Sequence, residues 1–204
     1  MNSDPDWSVH LLQLSARGEL GRANPRLLLD LPALAQPWTC ASHACTPGRR
    51  APDARSCCAD LEVTPSPEER AAIEAALPEL AASAFDGDAL ARPGRRCVFS
   101  VDTPDGLRCQ LHARNLKPLP CRLFPLVLVD IEDGRTLLTA IHRKTARLAG
   151  SRPARAFPCL GWEGAPTVAE SCADTITDLF GAKAAKATVR AVTAWATPPS
   201  SPPR

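Results

Sequence analysis

The chain has 204 residues, of which 45% are hydrophobic, so it is long enough and apolar enough to form a folded domain with a core. Its 24 basic and 22 acidic residues leave a net charge of +2, which argues against a dedicated binder of nucleic acids or membrane surfaces. Aromatic residues make up 4% and tyrosine is missing, so we expect no stacking platform for single-stranded nucleic acids. The longest apolar run, Leu123 to Val129, is far shorter than the ~20 residues that span a bilayer.

The nine cysteines are the unusual feature of this composition. The first residues, Met1 to Asp6, show neither the basic nor the apolar stretch of a secretory signal, so we expect a cytoplasmic location. In a reducing cytoplasm disulfides are disfavoured, and metal binding or redox chemistry explains clustered cysteines better. The odd count also excludes a framework in which every cysteine is paired within the chain.

The N-terminal third of the sequence predicts short helices around an irregular loop. The leucines between residues 7 and 36 fit two short helices or irregular packing segments. Residues 37–60 are rich in Pro, Arg, Ser and Cys without apolar periodicity, and such a loop needs a staple to become ordered. Ser66 begins a helix signature, with Pro67 suited to the first turn and Glu69 completing a capping box. We expect this helix to end near Leu77 or Ala84, with Pro78 as the break.

Two hairpins and a long helix are predicted further along the chain. Residues 97–101 alternate like a strand and return over 107–111 after a Pro-Asp-Gly turn, and residues 124–131 and 135–141 flank Glu-Asp-Gly in the same manner. Thr167, with Glu170 three residues on, opens a helix that runs to Trp195 and is weakened by Gly181.

These elements predict an α+β fold: a small, irregular single domain with short hairpins, flanking helices and a cysteine-ligated metal centre. We divide the chain into a helical segment over 1–36, a cysteine-cluster domain over 37–164, a helix over 165–195 that packs on that domain, and a disordered tail over 196–204.

Eight cysteines are candidate metal ligands because thiolates are soft donors that select zinc, copper(I) and iron–sulfur clusters. Cys97 and Cys109 lie on the two arms of the first predicted hairpin, and Cys121 follows on a proline-stiffened segment. In an extended chain the neighbours Cys57 and Cys58 point to opposite faces, so one would face the cluster and the other a second site or the core, whereas a turn would bring both to one cluster. The candidate ligands are Cys40, Cys45, Cys57, Cys58, Cys97, Cys109, Cys121 and Cys159.

The stretch Cys109-Gln-Leu-His112, followed by Lys117-Pro-Leu-Pro-Cys121-Arg-Leu-Phe-Pro125, resembles the second motif of the YkgJ-type cysteine-cluster family. Cys97 matches the cysteine before that motif, and Cys159-Leu-Gly-Trp-Glu-Gly164 resembles the glycine-rich block after it. The family's CxxCxxCC block is present here only with widened gaps of four and eleven residues, ending in the Cys57-Cys58 doublet. The resemblance covers residues 40–164 and implies a zinc- or iron-chelating domain.

The other candidate residues have more ordinary explanations. His43 and His112 are alternative fourth ligands, and His112 is also placed to donate a hydrogen bond to a thiolate. Lys117 and Arg122 flank Cys121 and favour its thiolate, or else form a solvated surface pair. Cys172 shares an apolar helix face with Ile176, so we interpret it as a buried structural thiol. His10 and His142 have no supporting neighbours in the sequence.

Three functions are compatible with this reading, and no catalytic residue is assigned. The first is a protein that holds an iron–sulfur cluster, of [4Fe–4S] type, for electron transfer or a redox-linked reaction. The second is a structural zinc domain that binds a partner protein without catalysis. The third is a metal-free, oxidised protein. We expect no nucleic-acid or membrane partner for any of them.

Overall fold

The computed structural model describes residues 7–39, 62–93, 96–103, 106–142, 159–161 and 163–197. It shows a mixed α+β chain of short hairpins and helices, which confirms the predicted class. Contacts divide the chain into two compact units. Unit 1 consists of Met1–Thr39, Pro125–Arg155 and Leu160–Arg204, and unit 2 consists of Cys40–Phe124 and Ala156–Cys159.

Unit 1 is a four-stranded sheet with helices from both ends of the chain. Its described elements, in chain order, are helix α1 (Trp7–Ala16), strands β1 (Leu20–Asn24) and β2 (Leu27–Asp30), helix α2 (Leu31–Leu34), strands β7 (Leu126–Asp130) and β8 (Thr136–Ala140), and helices α6 (Val168–Ser171), α7 (Ala173–Phe180) and α8 (Ala182–Ala196). The strand order is β1-β2-β8-β7. Strand β2 is antiparallel to β1 and parallel to β8, and β8 is antiparallel to β7.

The sheet is buried at its centre. All four residues of β2 are buried, as expected for a strand covered on both faces. Leu28, Val129 and Leu137 form a core cluster there, and Trp7 and Leu11 of α1 pack against it. Helix α2 packs against α6 and α8, and α8 also packs against β1 and α7.

The predicted helical segment over 1–36 is correct for its two short helices, but a hairpin lies between them. A run such as Leu27–Leu29 fits a buried strand as well as a helix, and here the neighbouring turn decides between them. The Asn24 side chain accepts a hydrogen bond from the Arg26 backbone N–H at 2.8 Å, which stabilises the turn between β1 and β2.

The predicted second hairpin is confirmed, although it belongs to a different part of the fold than expected. Strands β7 and β8 pair through a turn in which Gly134 has a φ of +77°. Because β8 pairs with β2, this hairpin joins the N-terminal segment in unit 1. The boundaries of the units, at residues 39/40, 124/125, 155/156 and 159/160, therefore differ from those expected for a continuous 37–164 domain.

The predicted C-terminal helix begins and weakens where the sequence indicated. Thr167 caps it with the expected capping box to Glu170. The helix is divided in three, first at Cys172 and then at Gly181, whose φ of +83° and ψ of 158° are accessible to glycine alone. Helix α8 ends at Ala196, and most of the predicted tail, residues 198–204, lies outside the described residues.

Unit 2 is built from small elements around one apolar cluster. Its described elements are helix α3 (Pro67–Ala76), a 3₁₀ turn (Ala81–Ser83), strands β3 (Phe85–Asp86), β4 (Ala89–Leu90), β5 (Ser100–Thr103) and β6 (Gly106–Cys109), and helices α4 (Gln110–Ala113) and α5 (Leu119–Leu123). Ser66 caps α3 through the predicted capping box with Glu69, and the helix ends before Leu77, the earlier of the two expected ends. The predicted loop over 37–60 lies outside the described residues from residue 40 onward.

Candidate thiolate site

Four of the eight candidate ligands lie in the part of the chain that the structure describes. Cys97, Cys109 and Cys121 are partly buried, and Cys159 is buried. All four belong to unit 2. The other four candidates, Cys40, Cys45, Cys57 and Cys58, lie outside the described residues, as does His43.

The β5–β6 hairpin confirms the predicted first hairpin, with its strands displaced by a few residues. Cys97 lies before β5, in a turn closed by a bond from the Ser100 backbone N–H to the Cys97 carbonyl oxygen at 3.0 Å. Cys109 is the last residue of β6 and stands opposite Ser100 in the register. Both cysteines are therefore at the same end of the hairpin, away from its turn.

Arg96 stabilises the turn that carries Cys97. Its guanidinium donates from Nε to Ser100 Oγ at 2.8 Å and from both terminal nitrogens to the Asp102 carboxylate at 2.9 and 3.0 Å. The Ser100 hydroxyl donates in turn to the Cys97 carbonyl oxygen at 2.6 Å. The hydrogen bond from Arg96 also lowers the pKa of Asp102, so the bidentate pair persists in mildly acidic solution.

Cys121 is positioned by a helix start that a distant carboxylate completes. Helix α5 begins at Leu119 after Pro118, and the N–H groups of a first helical turn have no acceptor within the helix, so the Leu119 N–H needs a partner outside it. Glu69 of α3 supplies it: its Oε1 accepts from Leu119 N at 2.7 Å across 50 residues of sequence. The second oxygen, Oε2, accepts from the Ser66 backbone N–H at 2.9 Å in the capping box.

The three cysteines contact one hydrophobic cluster. Its buried members are Val63, Ile73, Leu77, Ala84, Leu90, Phe99 and Leu111. Cys97, Cys109 and Cys121 pack against this cluster, where Phe99 and Leu111 are almost completely buried. Three cysteines that are spread over more than twenty positions of the sequence thereby contact the same hydrophobic cluster.

These cysteines do not form a complete ligand set by themselves. Among residues 7–39, 62–93, 96–103, 106–142, 159–161 and 163–197, no three or more His, Cys, Asp or Glu side chains are grouped so that they could hold a metal ion. The described thiolates have suitable chemistry for zinc or iron, but one ion would receive at most two ligands from this part of the chain.

Two glycines of the block after Cys159 adopt backbone conformations that favour glycine. Gly161 and Gly164 have φ values of +78° and +77°, and side chains at either position would strain the backbone. Cys159 itself is 7% exposed.

His112 and Cys172 differ in their suitability as ligands. Two causes lower the pKa of His112: the positive charge of Lys117, which is the larger, and partial burial of the ring. The imidazole is therefore neutral at neutral pH. Cys172 is 2% exposed in unit 1, and burial raises its pKa to about 12. The interpretation of Cys172 as a buried structural thiol is therefore confirmed.

Sequence reasoning missed a buried polar pair in unit 1. His10 Nε2 lies 2.8 Å from Asp30 Oδ2, and these residues are only 8% and 1% exposed. His10 and His142, which the sequence left without neighbours, line the same cleft beside this pair. The one local signal was Asp30 itself, a carboxylate at the end of an apolar run and ahead of Pro32, in the position of a helix N-cap.

Comparison with family models, curated proteins and solved structures finds no match for this chain. Among the described residues, no helix has the length and apolar character needed to cross a membrane.

Proposed function

We propose that the cysteines of unit 2 bind an iron–sulfur cluster, of [4Fe–4S] type, for electron transfer or a redox-linked reaction in the cytoplasm. The observation that carries this proposal is the placement of Cys97, Cys109 and Cys121 on one hydrophobic cluster. A buried cysteine by itself behaves as a small apolar residue, so it is the gathering of three thiols at one cluster that supports a role for their sulfur chemistry.

The described cysteines cannot supply all four ligands of such a cluster. Because no three described side chains form a ligand set, a site with four thiolates takes at least two of them from Cys40, Cys45, Cys57 and Cys58. The doublet Cys57-Cys58 is the best source in the sequence, since its two thiolates together with two described cysteines would make a set of four. Thiolates outnumber the histidine candidates eight to two, which favours a sulfur-rich cluster over a mixed Cys/His site.

The motif resemblance supports the same class of site. Its four described cysteines, Cys97, Cys109, Cys121 and Cys159, fall in unit 2, whereas the cysteine that it leaves out, Cys172, falls in unit 1. Membership of the YkgJ-type cysteine-cluster family is accordingly part of the proposal.

A structural zinc domain is the second candidate function, and the small size of the described elements favours it. Strands β3 and β4 have two residues each, and α4 and α5 have four and five. Units with so little regular structure commonly rely on a metal for stability, and zinc binding contributes on the order of 10 kcal/mol to folding in zinc-finger peptides. In this case the unit would serve to bind a partner protein.

Anaerobic purification of the full chain tests the proposal. A brown protein with broad absorption near 400 nm and stoichiometric iron supports the cluster, a colourless protein with stoichiometric zinc supports the second candidate, and a preparation with neither metal contradicts both. Cys109→Ala and Cys121→Ala should lose metal, whereas Cys172→Ala is a matched control that should retain it. Full metal content in both of the first two variants would exclude those residues as ligands.

A further inference from the structure

Strand β7 is an outer strand of the sheet in unit 1, and two hydrogen bonds show which of its backbone groups face away from β8. The sheet has the order β1-β2-β8-β7, so β7 has one neighbouring strand. Beyond one end of the pair, the Ile131 N–H donates to the Arg135 carbonyl oxygen at 2.7 Å, and beyond the other the Ile141 N–H donates to the Pro125 carbonyl oxygen at 2.8 Å. Bonds in these positions make the first and last residues of β7 non-hydrogen-bonded partners of β8.

Three residues of β7 therefore direct their backbone N–H and C=O groups outward. Hydrogen-bonded and non-hydrogen-bonded positions alternate along an antiparallel pair, so Val127 and Val129 bond β8, whereas Leu126, Leu128 and Asp130 do not. Within the described part of the chain, the outward backbone groups of these three residues form no hydrogen bond. The edge of the sheet thus presents three donors and three acceptors in a row.

This edge lacks the features that usually protect an outer strand. Lysine, proline or a β-bulge commonly prevents such an edge from pairing with another chain. Strand β7 reads Leu-Val-Leu-Val-Asp and pairs with β8 without a shift in register. At its centre, Leu128 is a large apolar residue that is 37% exposed. The opposite edge, β1, has an irregularity between Arg22 and Asn24 and is covered by α8. Of the two edges, β7 is the one suited to accept a further strand.

The outward groups of β7 match those of a second β7 strand. They are symmetric about Leu128, so an antiparallel copy can place its own Leu128 opposite this residue and its Asp130 opposite Leu126. Each outward N–H group then meets a carbonyl oxygen of the other copy. The two Asp130 carboxylates stand opposite leucines in this register, which avoids facing like charges. A pairing of this kind uses the same surface of both chains and is closed after two of them.

We propose that the chain forms a two-fold dimer through antiparallel pairing of β7 with β7 of a second copy, centred on Leu128. The pairing joins the two four-stranded sheets into one continuous sheet and packs the two exposed Leu128 side chains against each other. All groups that form it belong to unit 1, so the dimer does not depend on metal binding in unit 2.

Sedimentation equilibrium of the full chain under reducing conditions tests this proposal. We expect a species of twice the 21.7 kDa mass of one chain. Leu128→Lys should weaken the association about tenfold or more, because it removes the contact between the leucines and places two like charges opposite each other. Leu12→Lys is the matched control: Leu12 is a 70% exposed leucine of α1, and its replacement should leave the association constant unchanged.

Amide hydrogen exchange identifies the strand that pairs. The Leu128 N–H should become protected as the concentration rises and the dimer forms, whereas the Val129 N–H, which bonds β8, should be protected at every concentration. Protection of Val129 in Leu128→Lys shows that the sheet remains folded in that variant. The proposal is overturned if the unmodified chain sediments as a monomer or as an open series of larger species. It is also overturned if Leu128→Lys associates as tightly as the unmodified chain, if Leu12→Lys weakens the association equally, or if exchange at Leu128 is independent of concentration.

Discussion

Replacing Glu69 by alanine should destabilise unit 2 more than the loss of an ordinary helix cap. The substitution removes two acceptors at once: Oε2, which bonds the Ser66 N–H in the capping box, and Oε1, which bonds the Leu119 N–H of the helix that carries Cys121. The first bond is local to α3, whereas the second connects two helices that are far apart in sequence.

The two losses have different magnitudes. A capping interaction contributes about 1 kcal/mol, and a hydrogen bond from a backbone N–H to a charged group contributes about 1.5–3 kcal/mol. Together they predict a loss of roughly 2.5–4 kcal/mol in the free energy of unfolding of unit 2. Protection of the Leu119 amide against hydrogen exchange should fall about tenfold or more, since each 1.4 kcal/mol is a factor of ten.

Glu170→Ala provides the matched control for this experiment. Glu170 forms the same kind of capping box with Thr167, with N···O distances of 2.8 and 3.2 Å, and its hydrogen bonds among the described residues are confined to that helix start. Its loss should cost only about 1 kcal/mol. Urea unfolding and amide exchange of both variants measure the difference. Equal losses in the two variants, within about 0.5 kcal/mol, would refute an energetic role for the bond to Leu119.

Three further predictions concern unit 1. Gly181→Ala should lower the free energy of unfolding by about 1–3 kcal/mol, because the backbone at φ +83° and ψ 158° excludes a side chain, and an unchanged urea midpoint would contradict this. Bonds from the backbone N–H and then the hydroxyl of Thr167 hold the pKa of Glu170 below its usual 4.5, so its contribution to stability is present above about pH 4.5 and is lost as the pH falls through the lowered pKa. Urea midpoints of Glu170→Gln should accordingly change less between about pH 5 and 3 than those of the unmodified chain, and equal pH profiles would disprove the linkage. Cys172, with a pKa of about 12, should resist iodoacetamide at neutral pH until the chain is denatured, as mass spectrometry would show, and native labelling at the denatured rate would exclude its burial.

Local signals were sufficient to predict several elements of the fold. Ser66 and Thr167 both form the expected capping boxes, because the residue types that satisfy orphan N–H groups are adjacent in sequence. Gly134 and Gly181 marked a turn and a helix break for the same reason, since positive φ values favour glycine.

The pairing of strands that lie far apart in the sequence could not be predicted. The parallel register of Leu27 with Thr136 joins strands that are separated by more than a hundred residues. The buried run of β2 has no alternation to show which strand lies beside it. The hairpin of β7 and β8 was therefore predicted at the right place in the sequence but grouped with the cysteine-cluster domain, whereas it belongs to unit 1.

The candidate site follows the same division between local and distant information. Cysteine type and spacing indicated a soft-metal site, and the apolar neighbours of Cys172 identified it as structural. No spacing rule revealed that Cys121 depends on Glu69, or that His10 meets Asp30, because each pair joins separate elements through side chains. Such contacts become visible only after the elements have been packed.

The chain crosses between the two units at four points, and hydrogen bonds in unit 1 connect residues close to the first two of them. The Gln36 side chain donates to the Ile141 carbonyl oxygen at 2.7 Å, and the Ile141 N–H donates to the Pro125 carbonyl oxygen at 2.8 Å. Unit 1 is thus assembled from three separate stretches of the chain, and Ile141 connects two of them by hydrogen bonds close to where each meets a boundary between the units.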